Sequence, residues 1–235
     1  GFSLGEYAAL VDSGILTPED AFTLVLRRGT IMEEVSRTLD TDAGAAGMVA
    51  VMGKDLPEIR TILHDASIED AYPSLYNSPV QTVVGGTAIA LTEATEALKG
   101  AGVRRTVPLK VSGPFHTPLM DPARARFSEI ACEIDFSAPE PPVYSIVTAE
   151  PIKSGEEARA LCLDQLVRTV LWTNEERRLL LDKTELLLEV GPGQVLQGLW
   201  NAVRKTDETW PVERIRGAGT LETIEAIGEE IHDAH

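Results

Sequence analysis

Cysteine is scarce in this sequence, and long apolar runs are absent. The chain has 235 residues but only two cysteines, Cys132 and Cys162, too few for a disulfide framework or a cysteine-based metal site. We interpret both as reduced thiols, which are typical of a cytoplasmic protein. No window approaches the run of about 18 apolar residues that a membrane-spanning helix needs, so the sequence predicts no membrane partner.

Positive charge is also scarce. Lysine and arginine total 21 against 37 aspartates and glutamates, which gives a formal net charge of −16. A surface this acidic repels phosphate backbones, so we exclude nucleic acid and anionic membranes as partners. Phosphate-binding glycine loops and zinc-binding motifs are missing from the sequence, so neither pattern offers a chemistry of its own.

The first pattern that carries chemistry stands at the start of the sequence. The letters GFSLG match G-x-S-x-G, a turn between a strand and a helix that exposes a nucleophilic serine, here Ser3. The next letters, EYAALVDSG, are typical of a helix and supply half of that context. A glycine-flanked serine that only caps a helix is the alternative interpretation.

A second helix, predicted from Thr17 as N-cap to about Arg37, carries an arginine on its apolar face. Arg28 lies four residues after Leu24 and three before Ile31, so its side chain points inward with theirs. A buried guanidinium without a partner is costly, so Arg28 requires an anion. That anion is either an internal Asp or Glu, or the carboxylate of a substrate held by two parallel hydrogen bonds.

Activation of a serine needs a base, and histidine is the usual one near neutral pH. Of the four histidines, two lie near the C-terminus and His64 ends a predicted helix. His116 lies on the irregular loop VSGPFHTPLM, where catalytic residues often occur, although a solvated loop histidine is the alternative. Together, Ser3, His116 and Arg28 suggest acyl transfer from a donor that bears an acid group.

The pattern of elements predicts an α/β protein with two parts. Residues 45–109 follow the order βαββαβ, which is typical of a ferredoxin-like subdomain. Beyond it we expect a strand at PPVYSIV, a helix from Glu156 to about Val170 and a buried strand at TELLLEVGPG. We assign residues 1–44 and 110–235 to a larger core into which the subdomain is inserted.

Seven segments of the chain resemble, in the same order, the malonyl-CoA:acyl carrier protein transacylases of fatty-acid synthesis. They are GFSLGEYAAL, RRGTIM, YNSPVQTVVGG, VPLKVSGPFHTPLM, DQLVRTVLW, EVGPGQVLQGL and AGTLETIEAI. The resemblance implies a hydrolase-like three-layer α/β core with an inserted ferredoxin-like subdomain. It also implies a ping-pong acyltransferase that forms a malonyl-serine intermediate, with malonyl-CoA and acyl carrier protein as its substrates and partners and no metal or redox cofactor.

The resemblance also implies a role for each matching residue. Ser3 becomes the nucleophile and His116 its base, and the backbone carbonyl of Gln165 orients the histidine. The backbone N–H of Leu4 becomes a donor to the oxyanion. Arg28 becomes the partner of the malonyl carboxylate.

Two further positions are implied to line the substrate site. Asn77 matches a polar position of the family, although an asparagine that caps a turn is an equal alternative. Phe115 occupies a position that goes with malonyl rather than methylmalonyl selection, because a bulky ring there crowds an α-methyl group.

The chain departs from the family at its start. The family has histidine at the position of Phe2, and it has further chain before the serine, including the strand that leads into it and a glutamine that supplies a second oxyanion donor. We therefore expect a core that lacks its N-terminal strands, with reduced activity. An acyltransferase domain of a polyketide synthase, a serine esterase and a catalytically impaired fragment remain alternatives.

Overall fold

The computed structural model describes residues 1–182, 184, 186–207, 209–210 and 215–233. The chain divides into two compact units, Gly1–Glu175 and Glu176–His235. Both units combine helices with strands, so the predicted α/β class is confirmed. Within the described residues, no helix is both long enough and apolar enough to cross a bilayer.

The first unit consists of helices around one four-stranded sheet. Its helices are α1 (Leu4–Asp12), α2 (Pro18–Thr38), α3 (Leu56–Asp65), α4 (Ala88–Gly100), α5 (Asp121–Ala131) and α6 (Gly155–Asp164). Its strands are β1 (Gly47–Met52), β2 (Ala71–Ser78), β3 (Gln81–Gly86) and β4 (Arg105–Pro108). Helix α7 (Trp172–Leu181) begins in the first unit and ends in the second.

Helix α2 begins where the sequence predicts. The side chain of Thr17 accepts a hydrogen bond from the backbone N–H of Asp20 over 3.1 Å, which satisfies one of the free donors at the helix N-terminus. The buried face includes Leu24, Ile31 and, with 8% of its surface exposed, Arg28. The inward direction predicted for Arg28 is therefore confirmed.

The four strands pair antiparallel in the order β2-β3-β1-β4. With α3 and α4 in their places along the chain, this is the predicted βαββαβ order of a ferredoxin-like arrangement. Alternate residues face opposite sides of the sheet: Val51 and Val84 pack with α3 and α4, whereas Ala50 and Val83 pack with Phe115. The boundaries assigned above, 45–109 within 1–44 and 110–235, stay a prediction.

Two predicted elements are wrong in the region that follows the sheet. PPVYSIV forms no strand, because Pro141 and Pro142 lack N–H groups and the residues after them make a single isolated antiparallel bridge, between Tyr144 and Pro151. Beside that bridge, Ile152 N–H donates to Val143 O over 2.9 Å.

The helix expected from Glu156 to Val170 instead ends at Asp164. The end of the predicted helix bonds to β2 instead: Val170 N–H donates to Ser74 O over 2.9 Å, and Val170 O accepts from Tyr76 N–H over 2.8 Å.

The second unit contains a small parallel sheet. Strands β5 (Leu187–Val190) and β6 (Ile215–Ala218) pair in register, and they are accompanied by α8 (Val195–Arg204) and α9 (Leu221–Asp233). The strand predicted at TELLLEVGPG is confirmed over β5, but its predicted burial is wrong: Leu188 is 43% and Val190 81% exposed, because β5 pairs only with β6 among the described residues. The apolar cluster of the second unit includes Trp200 and Trp210, whose ring centroids lie 5.0 Å apart.

Candidate active site

Ser3 lies in a strained turn immediately before α1. Its backbone has φ 48° and ψ −103°, a conformation that residues with a side chain rarely adopt. The turn also folds Gly1 so tightly that a Cβ there would lie 2.6 Å from the backbone of Glu6. This is the geometry of an elbow that presents its serine hydroxyl, and it favours that interpretation over a simple cap, since the Ser3 side chain makes no capping hydrogen bond.

The loop after β4 brings His116 to this hydroxyl. Ser3 Oγ lies 2.8 Å from His116 Nε2, and His116 Nδ1 lies 2.6 Å from the backbone oxygen of Gln165. Because a carbonyl can only accept, Nδ1 carries the proton and Nε2 offers its lone pair to the serine O–H. The loop is fixed at both sides of the imidazole, where His116 N–H donates to Leu166 O over 3.1 Å and Ser74 Oγ donates to Phe115 O over 2.6 Å.

The environment keeps this imidazole neutral. Only 4% of His116 is exposed, and burial, followed by the nearby charge of Arg28, lowers the pKa of His116 from 6.5 to about 3, although the hydrogen bond to Gln165 opposes the shift. At neutral pH the ring is therefore free to accept a proton from Ser3.

Arg28 points at the same hydroxyl. One terminal nitrogen of its guanidinium donates to Ser3 Oγ over 3.3 Å, its carbon lies 5.8 Å from the centre of the Tyr7 ring, and its Nε has no hydrogen-bond partner. Among the described residues, no Asp or Glu forms an ion pair with it. The alternative of an internal salt bridge is therefore not supported, and a buried positive charge stands uncompensated beside the serine.

The other predicted residues are placed less directly. Leu4 is the first residue of α1, so its N–H belongs to the donors at the helix N-terminus that lack a partner within the helix. Phe115 is half-buried and packs on the sheet face of Met48 and Val83. Asn77 lies inside β2 with an unpartnered Oδ1, and no hydrogen bond joins it to Ser3, His116 or Arg28 in the described part of the chain.

Two contacts near this group were not predicted. Glu6, with 3% exposure, accepts a hydrogen bond from the side chain of Gln165. Its position four residues before Leu10, on the apolar face of α1, is a signal that could have revealed its burial. Phe2, which departs from the family pattern, meets Trp172 edge to face with ring centroids 5.4 Å apart.

Comparison with known proteins shows the family of this chain. The family model of the acyl transferase domain matches residues 1–229. The malonyl CoA-acyl carrier protein transacylase of Bacillus subtilis is 32% identical over the whole of this chain, which covers 72% of that protein. Across eight curated relatives, the chain spans from 62% to 72% of the relative's length.

Solved structures are similar along nearly the whole chain. The crystal structure of MCAT from Streptococcus pneumoniae is 34% identical with a TM-score of 0.87, over 98% of this chain and 72% of that one. A complex described as a type II PKS acyl-carrier protein with its malonyl-transacylase is 32% identical with a TM-score of 0.84, over 97% of this chain and 71% of the other. The family match and these identities together show that the chain belongs to the acyl transferase domain family.

Proposed function

We propose that this chain carries the catalytic residues of a malonyl-CoA:acyl carrier protein transacylase of fatty-acid synthesis. The observation that carries the proposal is the guanidinium of Arg28, buried beside Ser3 Oγ without a carboxylate partner among the described residues. A serine esterase acting on neutral esters has no use for that charge, whereas the free carboxylate of a malonyl group neutralises it.

The first half of the proposed reaction acylates Ser3. His116 Nε2, 2.8 Å from Ser3 Oγ, takes the hydroxyl proton as the oxygen attacks the thioester carbon of malonyl-CoA. The negative oxygen that develops is stabilised by backbone donors, of which the N–H of Leu4 is the one we assign. The carbon–sulfur bond then breaks, the sulfur takes the proton from His116, and a malonyl-serine ester remains.

The second half returns the acyl group to a thiol. His116 removes the proton from the phosphopantetheine thiol of acyl carrier protein, whose sulfur attacks the ester, and Ser3 regains the proton as it leaves. The relatives named as transacylases, and the related enzyme solved with an acyl-carrier protein, support this choice of partner. Hydroxyl, imidazole and guanidinium supply the nucleophile, base and counter-charge, so the proposed reaction needs no metal or redox cofactor.

Two further parts of the proposal concern the fold and the compartment. We assign the helices outside the four-stranded sheet, with β5 and β6, to a hydrolase-like α/β core, and the acyl transferase relatives support that assignment. Cys132 and Cys162 are both unpaired, which supports a reducing compartment such as the cytoplasm.

Intact-mass spectrometry tests the proposed function. After mixing with malonyl-CoA, we expect one malonyl group on the unchanged chain, mapped to Ser3 and removed when phosphopantetheinylated carrier protein is added. Ser3→Ala should abolish the adduct. Arg28→Ala should abolish or strongly slow it, whereas Arg27→Ala, which removes a neighbouring exposed arginine, should not. The absence of an adduct on the unchanged chain, or its persistence in Ser3→Ala, would contradict the proposal.

A further inference from the structure

Glu6 is a buried carboxylate directly beneath the serine turn. It lies three residues after Ser3 on α1 and is 3% exposed. One carboxylate oxygen accepts a hydrogen bond from the backbone N–H of Ile146 over 3.0 Å, and the other accepts from the side-chain amide of Gln165. A single acid thus joins α1 to residues that lie 140 and 159 positions further along the chain.

Gln165 connects this acid to the imidazole. Its amide Nε2 also donates to the backbone oxygen of Ser3 over 3.2 Å, while its own backbone oxygen receives the Nδ1–H of His116 over 2.6 Å. Since His116 Nε2 meets Ser3 Oγ at 2.8 Å, the contacts close a ring: Ser3, Glu6, Gln165, His116 and Ser3 again. The Glu6 carboxylate thus holds the side chain of the residue whose backbone carbonyl orients the histidine.

The chemistry of the two donors favours an acid at this position. Both groups that face the carboxylate are N–H donors, and a carboxylate can accept from both at once. A glutamine in its place has only one acceptor oxygen, so its NH₂ group would oppose one of the two donors and one of the two hydrogen bonds would be lost. Burial raises the pKa of Glu6 from 4.5 to about 7, so the ionised form that accepts from both donors is the major form only above pH 7, where the tests below are made.

We propose that Glu6 is a positioning residue that holds Gln165 in place and, through its carbonyl, fixes the orientation and the tautomer of His116. The proposal rests on the proposed function for its consequence in catalysis, because a histidine in the wrong tautomer cannot accept the proton of Ser3. The geometry itself involves no substrate, so it can be tested without one.

Two measurements on Glu6→Gln test the proposal. Nitrogen-15 NMR of labelled histidines reports which ring nitrogen carries the proton, and the His116 signal is identified by its absence from His116→Asn. We expect the Nδ1–H form in the unchanged chain and a mixture of tautomers in Glu6→Gln. The second measurement is the rate at which a fluorophosphonate phosphonylates Ser3, forming the oxygen–phosphorus bond as fluoride leaves and the proton passes to His116.

The expected loss of phosphonylation rate in Glu6→Gln is on the order of 10-fold to 100-fold, the range seen when the partner that orients a metal-bound histidine is removed. Ser13→Ala is the matched control, since it removes another buried hydrogen bond of α1, from Ser13 Oγ to Leu10 O. It should leave both the tautomer and the rate unchanged. If Ser13→Ala lowers the rate as much as Glu6→Gln does, the effect is one of general stability and the proposal is wrong.

Gln165→Met tests the other end of the same contact, and it keeps the question answerable if Glu6→Gln does not fold. It preserves the backbone carbonyl but removes the amide that Glu6 holds, so it should shift the tautomer in the same direction. The double variant should be no slower than the slower single variant, because both changes break one contact. Rates that multiply in the double variant, or an unchanged His116 tautomer in both single variants, would overturn the proposal.

The outcome is separable from that of the proposed function. Neither the tautomer nor the fluorophosphonate rate depends on malonyl-CoA, so the positioning role can hold even if no malonyl adduct forms. Conversely, a malonyl adduct of normal rate in Glu6→Gln supports the transacylase and contradicts the role of Glu6.

Discussion

Glu6 and His116 should contribute to the pH dependence of stability with opposite signs. Burial, opposed in part by its neighbours, raises the pKa of Glu6 from 4.5 to about 7, so the folded chain keeps a proton that the unfolded chain releases. The stability from this group is complete below pH 4.5 and is lost as the pH rises towards 7. For His116 the pKa falls from 6.5 to about 3, so its contribution is complete above pH 6.5 and is lost as the pH falls towards 3.

The magnitudes follow from these windows. A group that titrates in only one of the two states changes the free energy of unfolding by about 1.4 kcal/mol per pH unit. Between pH 4.5 and 6.5 both groups change the unfolding free energy with pH, but in opposite directions, so their two contributions nearly cancel in the unchanged chain. Glu6→Gln removes one slope, and acidification across that window should cost the variant about 3 kcal/mol more than it costs the unchanged chain.

Urea unfolding followed by circular dichroism at several pH values measures this difference. His116→Asn is the informative counterpart, because it leaves the slope of Glu6 alone and should be stabilised by the same acidification. If the unfolding free energies of Glu6→Gln and the unchanged chain run parallel between pH 4.5 and 6.5, the two buried groups do not have the opposite shifts described above and the reasoning fails.

Three further substitutions test local contacts. Phe115→Ala should raise the ratio of the methylmalonyl-CoA to the malonyl-CoA acylation rate by roughly 10-fold. Mass spectrometry of samples quenched at fixed times measures this ratio, and an unchanged ratio would contradict crowding of the α-methyl group by the ring. Gly113→Ala should cost about 1–3 kcal/mol in urea unfolding, since its Cβ would lie 2.5 Å from the Cβ of buried Ser36. Gly29→Ala is the control, because a Cβ added at Gly29 meets no atom within 4 Å, and this variant should gain about 0.5–1 kcal/mol of unfolding free energy. Equal changes in the two variants would refute the clash at Gly113. Thr17→Ala should lose about 1 kcal/mol with its cap to Asp20, and no loss would mean that the cap is not stabilising.

Local patterns in the sequence predicted what depends on neighbours along one helix. Arg28 is buried because the helical period places it with Leu24 and Ile31, and the start at Thr17 follows from capping chemistry. These features need no knowledge of the tertiary fold. The same holds for the βαββαβ order, where each element is set by its own periodicity.

Contacts between distant segments were beyond such patterns. Ser3 and His116 are separated by 113 positions, and their pairing was suggested by elimination among four histidines and by the resemblance to a family, not by a local pattern. The bond between Glu6 and Gln165 was missed because a single charged residue in a short helix is ordinarily assigned to solvent. The helix expected to reach Val170 ends early for the same reason, since the sheet edge takes over its backbone bonds, which no local pattern records.

The central claim is that Arg28 is there to receive the carboxylate of the acyl donor. The most direct test compares the rates at which malonyl-CoA and acetyl-CoA acylate Ser3, in the unchanged chain, in Arg28→Ala and in the exposed-site control Arg27→Ala. We predict a strong preference for malonyl-CoA in the unchanged chain and in Arg27→Ala, and its loss in Arg28→Ala through a slower malonyl reaction. An equal preference for malonyl-CoA in all three proteins would contradict the account.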